Sequence, residues 1–204
     1  MADKDKQLII TIGREYGSGG HAIGEMLAEK LGIGFYDAEI IQRLSEKKGI
    51  KKETLSKYDE KPSPVLMNRS VRGYSTSLEE AVAEMQFKMI RKIAASGESF
   101  VLIGRCGETV LSKYDCLIRL FVLGDMDSRI TRIMKRKRVS RKEAQKLIKT
   151  TDKRRKAYHN YYCEGKWGDS RNYDLCINSS KIGVEGAADV ILSFATRKQT
   201  PVHR

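Results

Sequence analysis

The sequence contains no long apolar run and few aromatic residues, prolines or cysteines. Its 204 residues include 7% aromatics, three prolines and four cysteines. No apolar stretch approaches the roughly 20 residues that a membrane-spanning helix needs. The first residues, MADKDKQ, lack the apolar centre of a signal peptide. We therefore expect a cytoplasmic protein that does not enter a membrane.

The cysteines and the three histidines show no spacing that is typical of a zinc site. The cysteines are scattered along the chain, and no two of them form a C-x-x-C pair. Because zinc ligands usually occur in closely spaced pairs, the sequence argues against a zinc site. We expect all four cysteines to be buried free thiols. They are Cys106, Cys116, Cys163 and Cys176.

Positive charge is concentrated in one segment of the chain. The net charge is +13, from 39 Lys and Arg against 26 Asp and Glu. Residues 129–156 contain 14 of the basic residues but only two acidic ones, so this segment accounts for almost all of the excess. Such a concentrated positive field favours a polyanionic partner, either the phosphates of a small molecule or a nucleic acid.

Short apolar segments alternate with segments of helical periodicity. Strands are predicted at 8–12, 33–37, 100–103, 116–123 and 173–178. Helices are predicted at 21–31 and 38–48, and over the apolar positions from Val184 to Phe194. Two more begin at capping boxes: one runs from Ser77–Glu80 to Gly97, and the other runs from Ser140–Glu143 past Tyr158. A further helix begins near residue 125 and runs into MKRKR. This alternation predicts an α/β fold with a five-stranded parallel sheet between two helical layers.

The stretch GREYGSGG, residues 13–20, lies directly between the first predicted strand and the first predicted helix. Glycines allow main-chain N–H groups to point inward, and the helix N-terminus adds its positive dipole, so this turn is suited to binding phosphate. A purely structural glycine turn remains the alternative. The candidate phosphate-binding residues are Gly13, Gly17, Ser18, Gly19, Gly20 and His21.

The turn departs from the phosphate-binding pattern G-x-x-x-x-G-K-[ST]. It has one extra residue, Gly20 occupies the lysine position, and His21 and Ala22 follow where a hydroxyl is usual. Phosphoryl transfer requires charge neutralisation, so another cation has to replace the lysine. Arg14, in the same turn, is the nearest candidate, and His21 can donate to a phosphate from the helix N-terminus.

Other candidate residues follow the remaining strands. Asp37 follows the second predicted strand, Arg105 the third, and the basic segment the fourth. Ligands of parallel α/β sheets bind beyond the carboxyl ends of the strands. We therefore expect these residues to meet the glycine turn at one edge of the sheet.

Five stretches together resemble the cytidylate kinase-like family of nucleoside monophosphate kinase relatives, over about residues 8–180. They are GREYGSGG, FYDAEII, VLIGRCG, TDKRRKAYHNYY and WGDSRNYDLCINSS. The resemblance implies a single P-loop kinase domain over 1–204, with a mobile acceptor-binding region at about 37–77 and a helical lid at about 127–165. It also implies transfer of the γ-phosphate of ATP to CMP or a similar acceptor, with magnesium.

The resemblance also implies roles for individual residues. Asp37 would contact the acceptor nucleoside, although the family's D-T-G continuation is absent and Asp37 can equally cap the next helix. Arg105 matches the arginine of a G-R-D motif, with Cys106 in place of the aspartate. The pattern Asp152-x-x-Arg155 matches the end of the lid and makes Arg155 a catalytic cation. Its predicted companions are Arg132 in catalysis and Arg129 and Arg154 in substrate binding.

The remaining predictions are less specific. Arg69 and Arg72 lie in the proline-containing stretch and are further candidates for acceptor binding. Magnesium would be held by water, phosphates and one of three acidic candidates, namely Glu15, Asp37 and Glu108.

Two other functions remain open from the sequence alone. The missing lysine, hydroxyl and G-R-D aspartate are consistent with a nucleotide-binding regulatory protein that has little transfer activity. The basic segment, with Tyr158, Tyr161 and Tyr162 beside it, is also consistent with nucleic-acid binding, although packing of a lid helix explains the tyrosines more simply. The sequence identifies neither the acceptor nor the oligomeric state.

Overall fold

The computed structural model describes residues 7–41 and 78–199. Several predictions lie outside these residues: the loops at 49–77, most of the helix at 38–48, Ser77 of the first capping box, and Arg69 and Arg72. Residues 38–41 are helical. In the described ranges, no helix combines the length and the apolar character needed to cross a membrane.

The core of the protein is a five-stranded sheet in which every described pairing is parallel, with the strand order β2-β3-β1-β4-β5. The strands are β1 (Ile9–Arg14), β2 (Gly34–Tyr36), β3 (Phe100–Ile103), β4 (Leu117–Leu123) and β5 (Leu175–Asn178). Ile12 of β1 pairs with Ile103 on one side and Leu120 on the other. The predicted five-stranded parallel sheet is confirmed, with strand ends that differ by up to two residues.

Helices cover both faces of the sheet. They are α1 (Gly20–Leu31), α2 (Leu78–Ala95), α3 (Gly107–Val110), α4 (Met126–Lys137), α5 (Arg141–Tyr162) and α6 (Ser179–Gln199). Because alternate residues of a strand point to opposite faces, Ile10 packs in the core with α1 and α6, whereas Ile9 packs with α2. The result is the predicted three-layer α/β fold.

Two helices, α4 and α5, form an arm that carries the basic segment. They pack against each other through Ile130, Ile133, Ala144 and Ile148, all buried. The predicted capping box is present at the start of α5: the Ser140 hydroxyl accepts from the main chain of Glu143, and the Glu143 carboxylate accepts from the main chain of Ser140. We call α4 and α5 the arm from here on.

The chain makes an unusual turn where it leaves β3. Gly104, Arg105 and Cys106 have φ values of 72, 58 and 53°, all in the left-handed region. This turn leads directly into the short helix α3, which the sequence did not predict. Left-handed backbone is uncommon for non-glycine residues, so neighbouring contacts must hold the turn in place. It positions the Arg105 and Cys106 side chains at the carboxyl edge of the sheet.

Candidate functional site

The glycines of the turn at 13–20 are required by the backbone conformation and by close neighbours. Gly17 and Gly19 have φ values of 86 and 89°. A Cβ atom on Gly19 would lie 2.8 Å from Val184, and one on Gly20 would lie 2.7 Å from the Cβ of Arg14. Any other residue would therefore strain or displace the turn.

Several main-chain N–H groups of this turn have no protein acceptor. Within the described part of the chain, the N–H groups of Gly17, Gly19, His21 and Ala22 make no hydrogen bond. The helical hydrogen bonds begin only with Ile23, whose N–H donates to Gly19 O at 3.0 Å. Free N–H groups at a helix N-terminus are suited to binding an anion. We call these four N–H groups the amide nest.

Side chains inside the turn hold its shape. Ser18 is fully buried, and its hydroxyl donates to Glu15 O at 2.9 Å. The carbonyl of Ser18 accepts from the hydroxyl of Ser179, which also donates to Leu123 O at 3.3 Å. The turn is thus tied to the ends of β4 and β5. A direct contact of the Ser18 hydroxyl with a ligand stays a prediction.

The arm contacts the turn directly through three of its arginines. Arg132 donates to Gly17 O at 2.6 Å, and Arg129 donates to Tyr16 O at 2.9 Å. Arg155 donates to the main-chain carbonyl of Arg14 at 3.2 Å, and its guanidinium lies 5.5 Å from the centre of the Tyr16 ring. These arginines satisfy carbonyls of the turn and leave its amide nest available. The arm and the turn therefore face each other, as the sequence suggested.

Arg129 is the buried centre of an ion-pair network between arm and turn. Only 4% of its side chain is exposed, and it pairs with Glu15 at 3.2 Å and with Asp152. Asp152 also accepts from the Tyr16 N–H at 2.7 Å, and Glu15 accepts from the Gly124 N–H at 3.0 Å. Through these contacts the Arg129 guanidinium attaches the arm to the glycine turn. They give no support to the predicted role of Arg129 in binding substrate, which stays untested.

A partly open cavity lies at the carboxyl ends of β1 and β3, beneath α5. It brings three of the predicted arginines together. Arg14 reaches across Gly104, so that any side chain at Gly104 would clash with its guanidinium. The lining includes Arg14, Arg105, Arg155, Glu108, His159 and Trp167. A cavity lined by three guanidinium groups is suited to binding a phosphate group.

Arg105 is held in this cavity by a partner that the sequence did not indicate. Only 3% of Arg105 is exposed, and its guanidinium donates to the side chain of Gln86 at 3.4 Å. Gln86 is 2% exposed and lies within the buried face of α2, beside Val82 and Met89. The sequence feature that could have revealed this partner is the presence of a polar residue, Gln86, within an otherwise apolar helix face.

Asp37 caps the helical segment at 38–41 and also contacts the amide-nest region. Its carboxylate accepts from the Ile40 N–H at 2.9 Å and lies 3.0 Å from Nε2 of His21. Burial alone would raise the pKa of Asp37, but the hydrogen bonds from Ile40 and His21 outweigh it and lower the pKa below its ordinary value. The capping role is confirmed, and contact with an acceptor stays a prediction.

Glu108, His159 and Cys163 form a buried cluster that sequence spacing did not reveal. His159 Nε2 lies 2.6 Å from the Glu108 carboxylate. Burial opposes the charged imidazolium, but hydrogen bonds with Cys163 and Glu108 raise the pKa of His159 to about 10. A hydrogen bond with Cys106, together with His159, lowers the pKa of Cys163 to about 6 and raises that of Cys106. The spacing H-x-x-x-C at the end of a predicted helix was the indication that was missed.

The other predicted residues differ in exposure. Arg132 is half-buried beside Gly19, where its guanidinium carbon would lie 3.5 Å from an added Cβ. Arg154 is exposed, whereas the neighbouring Arg155 is half-buried in the cavity lining. Gly13 also lines the cavity, and a Cβ there would lie 2.8 Å from the Phe121 ring.

Comparison with known proteins agrees with this geometry. The chain is 28% identical over 201 residues to a cytidylate kinase of Archaeoglobus fulgidus, covering 95% of this chain and 97% of the relative. It is 27% identical over 189 residues to a cytidylate kinase of Methanobrevibacter smithii, covering 91% and 97%.

Solved structures show the same fold. A crystal structure of an uncharacterised protein from Eubacterium ventriosum has a TM-score of 0.76 at 38% identity, covering 93% of this chain and 99% of the other. A shikimate kinase from Acinetobacter baumannii, in complex with shikimate, has a TM-score of 0.56 at 15% identity, covering 97% of each chain. The latter similarity shows the fold alone, which is that of the P-loop kinases.

A family model described as "Cytidylate kinase-like family" matches residues 9–181, a span that contains the glycine turn, the cavity and the whole arm. The protein therefore belongs to the cytidylate kinase-like family.

Proposed function

We propose that this nucleotide kinase-like protein is an ATP-dependent phosphotransferase that acts on a nucleoside monophosphate, CMP or a related small phosphate acceptor. The observation that carries the proposal is the amide nest at the N-terminus of α1, with the arginines of the arm facing it. The family and the names of its relatives support the choice of a monophosphate acceptor.

The amide nest would hold the phosphates of ATP without a lysine. Main-chain donors at Gly17, Gly19, His21 and Ala22 converge at the start of α1, where the helix dipole also favours negative charge. Arg132 already lies against Gly17 and Gly19, close enough to supply the missing positive charge. Main-chain N–H groups and arginines would then together bind and neutralise the phosphates that a lysine binds in the usual pattern.

The cavity would hold the acceptor phosphate. Arg14, Arg105 and Arg155 line it, and a planar guanidinium can grip a phosphate with two parallel hydrogen bonds. Because Arg14 runs from the glycine turn to Gly104, it connects the proposed ATP site with the proposed acceptor site. Transfer between two phosphates depends on alignment and charge stabilisation, so the chain needs no nucleophilic side chain.

Magnesium would be bound mainly through phosphates and water. Glu15, Asp37 and Glu108, the three acidic candidates, are already paired with Arg129, His21 and His159. In the part of the chain that the structure describes, the group of three potential metal ligands is Glu108, His159 and Cys163, which lacks the oxygen-only character that magnesium prefers. Magnesium, when bound with ATP, neutralises part of the phosphate charge.

A regulatory nucleotide-binding protein is the second candidate. The guanidinium groups of Arg129, Arg132 and Arg155 all donate to carbonyls of the turn itself. If these contacts persisted with ATP bound, the arm would hold the turn without stabilising a moving phosphoryl group.

A screen of acceptors with purified protein distinguishes these functions. We expect magnesium-dependent formation of ADP from ATP with at least one nucleoside monophosphate, measured by a coupled assay and by chromatography of the products. ATP binding by calorimetry without turnover on any acceptor would favour the regulatory function. Binding of mixed oligonucleotides that weakens steeply with salt, without either result, would favour nucleic-acid binding.

A further inference from the structure

A buried group of three different donor atoms lies at the end of the arm. The thiol of Cys163, a ring nitrogen of His159 and a carboxylate oxygen of Glu108 all lie within 4.8 Å of one another. All three residues are less than 10% exposed. Sulfur, imidazole nitrogen and carboxylate oxygen are the three ligand types that zinc accepts in proteins.

The backbone holds these donors in place from two elements. His159 and Cys163 are four residues apart at the end of α5, and the Cys163 N–H donates to His159 O at 2.8 Å. Cys163 is the C-cap residue of α5, with extended backbone, and this hydrogen bond fixes its position relative to His159. Glu108 projects from the first turn of α3, directly after the left-handed turn at Arg105 and Cys106. Neither half of the cluster depends on a long surface loop.

We propose that Glu108, His159 and Cys163 bind a zinc ion. Tetrahedral zinc, with bonds of about 2.0–2.3 Å, places its ligand atoms about 3.3–3.8 Å apart. The present separation of 2.6 Å between Glu108 and His159 is that of a hydrogen bond. A small rotation of the Glu108 side chain would open this pair, and the ion would replace the shared proton.

The surroundings support a cation in spite of the nearby arginines. A thiolate and a carboxylate carry two negative charges, which match the charge of the ion. The thiol of Cys106 interacts with Cys163, and it is itself buried. Zinc selects sulfur and nitrogen donors, whereas the magnesium of the proposed reaction selects oxygen, so the two metals would not compete.

A zinc ion here would fasten the arm to the sheet. It would join the last turn of α5 to α3, and Glu108 and His159 also line the cavity. The arm would then be anchored at two points, by zinc at its end and by the Arg129 network at the glycine turn. This inference does not depend on the proposed transferase activity.

Zinc binding to the full-length protein tests the inference without any activity measurement. The reduced protein is stripped with a chelator, loaded with zinc and dialysed, and its metal content is measured by mass spectrometry. We expect one zinc per chain, and affinity at least about 10-fold lower in Cys163→Ser and in His159→Asn. Cys116→Ser is the matched control, because Cys116 is half-buried and precedes β4, away from the cluster. It should bind like the wild type.

Cobalt substitution of the wild-type protein provides a second measurement that does not depend on how the variants fold. Cobalt bound by a cysteine gives an ultraviolet thiolate-to-metal charge-transfer band and the strong visible bands of a four-coordinate ion. Both should disappear when zinc is added. Absence of the charge-transfer band in the wild type, or equal zinc content in the wild type and Cys163→Ser, would overturn the proposal.

Discussion

At the scale of single residues, the glycine turn combines two separate needs for glycine. Gly19 requires glycine both because its φ is 89° and because Val184 fills the space where a side chain would begin. Gly32, at the end of α1, also has a positive φ, of 63°, but has no atom within 4 Å of an added Cβ. The two positions therefore separate backbone strain from steric conflict.

We predict that Gly19→Ala abolishes measurable ATP binding, because the added methyl group forces the amide nest to move. Gly32→Ala should cost about 1 kcal/mol of stability through its left-handed backbone and should leave ATP binding unchanged. Calorimetric titration with ATP and thermal unfolding of both variants check this. Equal ATP affinity in Gly19→Ala and the wild type would contradict the proposed phosphate site.

A second prediction at this scale concerns Arg14, which connects the proposed ATP site with the proposed acceptor site. Arg14→Ala should lower kcat by about 100-fold or more, the effect of removing one group that stabilises transition-state charge. Arg141→Ala is the control, because Arg141 is exposed and pairs with Asp127 near the start of α4. Initial rates of both variants at saturating ATP are the measurement. Unchanged kcat in Arg14→Ala would remove Arg14 from the proposed machinery.

At the scale of elements, the arm is held to the glycine turn by a buried charge network. Arg129 belongs to α4, Asp152 to α5, and Glu15 to the turn. Their side chains are at most 26% exposed. A buried pair contributes little net stability when intact, but removing Asp152 leaves the buried Arg129 with Glu15 alone and leaves the Tyr16 N–H without its acceptor.

We therefore predict that Asp152→Ala lowers the free energy of unfolding by about 3 kcal/mol. Asp127→Ala, which removes an exposed arginine pair from the same arm, should cost about 0–1 kcal/mol. Urea denaturation at neutral pH measures both. Similar small losses in the two variants would mean that the arm does not depend on this network.

At the scale of the whole molecule, Asp174 links β4, β5 and α6. It accepts from Arg119 at 2.8 Å and from Lys198 at 3.1 Å. Burial alone would raise the pKa of Asp174, but the hydrogen bonds and charges of Arg119 and Lys198 outweigh it and lower the pKa below its ordinary value. Because the folded pKa is lower than the unfolded one, the stabilisation is present above about pH 4 and is lost as the pH falls through the folded value.

We predict that stability falls less steeply as the pH is lowered below about 4 in Asp174→Asn than in the wild type. The reason is that the variant has no carboxylate to protonate at this position. Arg119→Met should flatten the same limb, because it removes the first of the groups that lower the pKa of Asp174. Thermal unfolding across this pH range gives the slopes. Parallel slopes in all three proteins would contradict the assignment.

Much of the architecture followed from local patterns. The strand at Phe100–Ile103 and the capping box at Ser140 were predicted as observed, because apolar runs and capping residues act within a few positions of each other. The turn at 13–20 was also recognisable, since glycine spacing is a local property. The short helix α3 was not predicted. It begins after a left-handed turn at Arg105 and Cys106, and arginine and cysteine are not residue types that favour such a turn.

The sequence by itself determined the alternating sheet, the glycine turn and the charge of the arm, because each depends on residues that are neighbours in the chain. Only the tertiary structure decided that Arg129 is a buried anchor, that Gln86 holds Arg105, and that Glu108 meets His159 and Cys163. Gln86 and Arg105 are 19 residues apart, Arg129 and Asp152 are 23 apart, and Glu108 and His159 are 51 apart. Which of them meet is decided by how helices pack on the sheet, and periodicity within a segment carries no information about that packing.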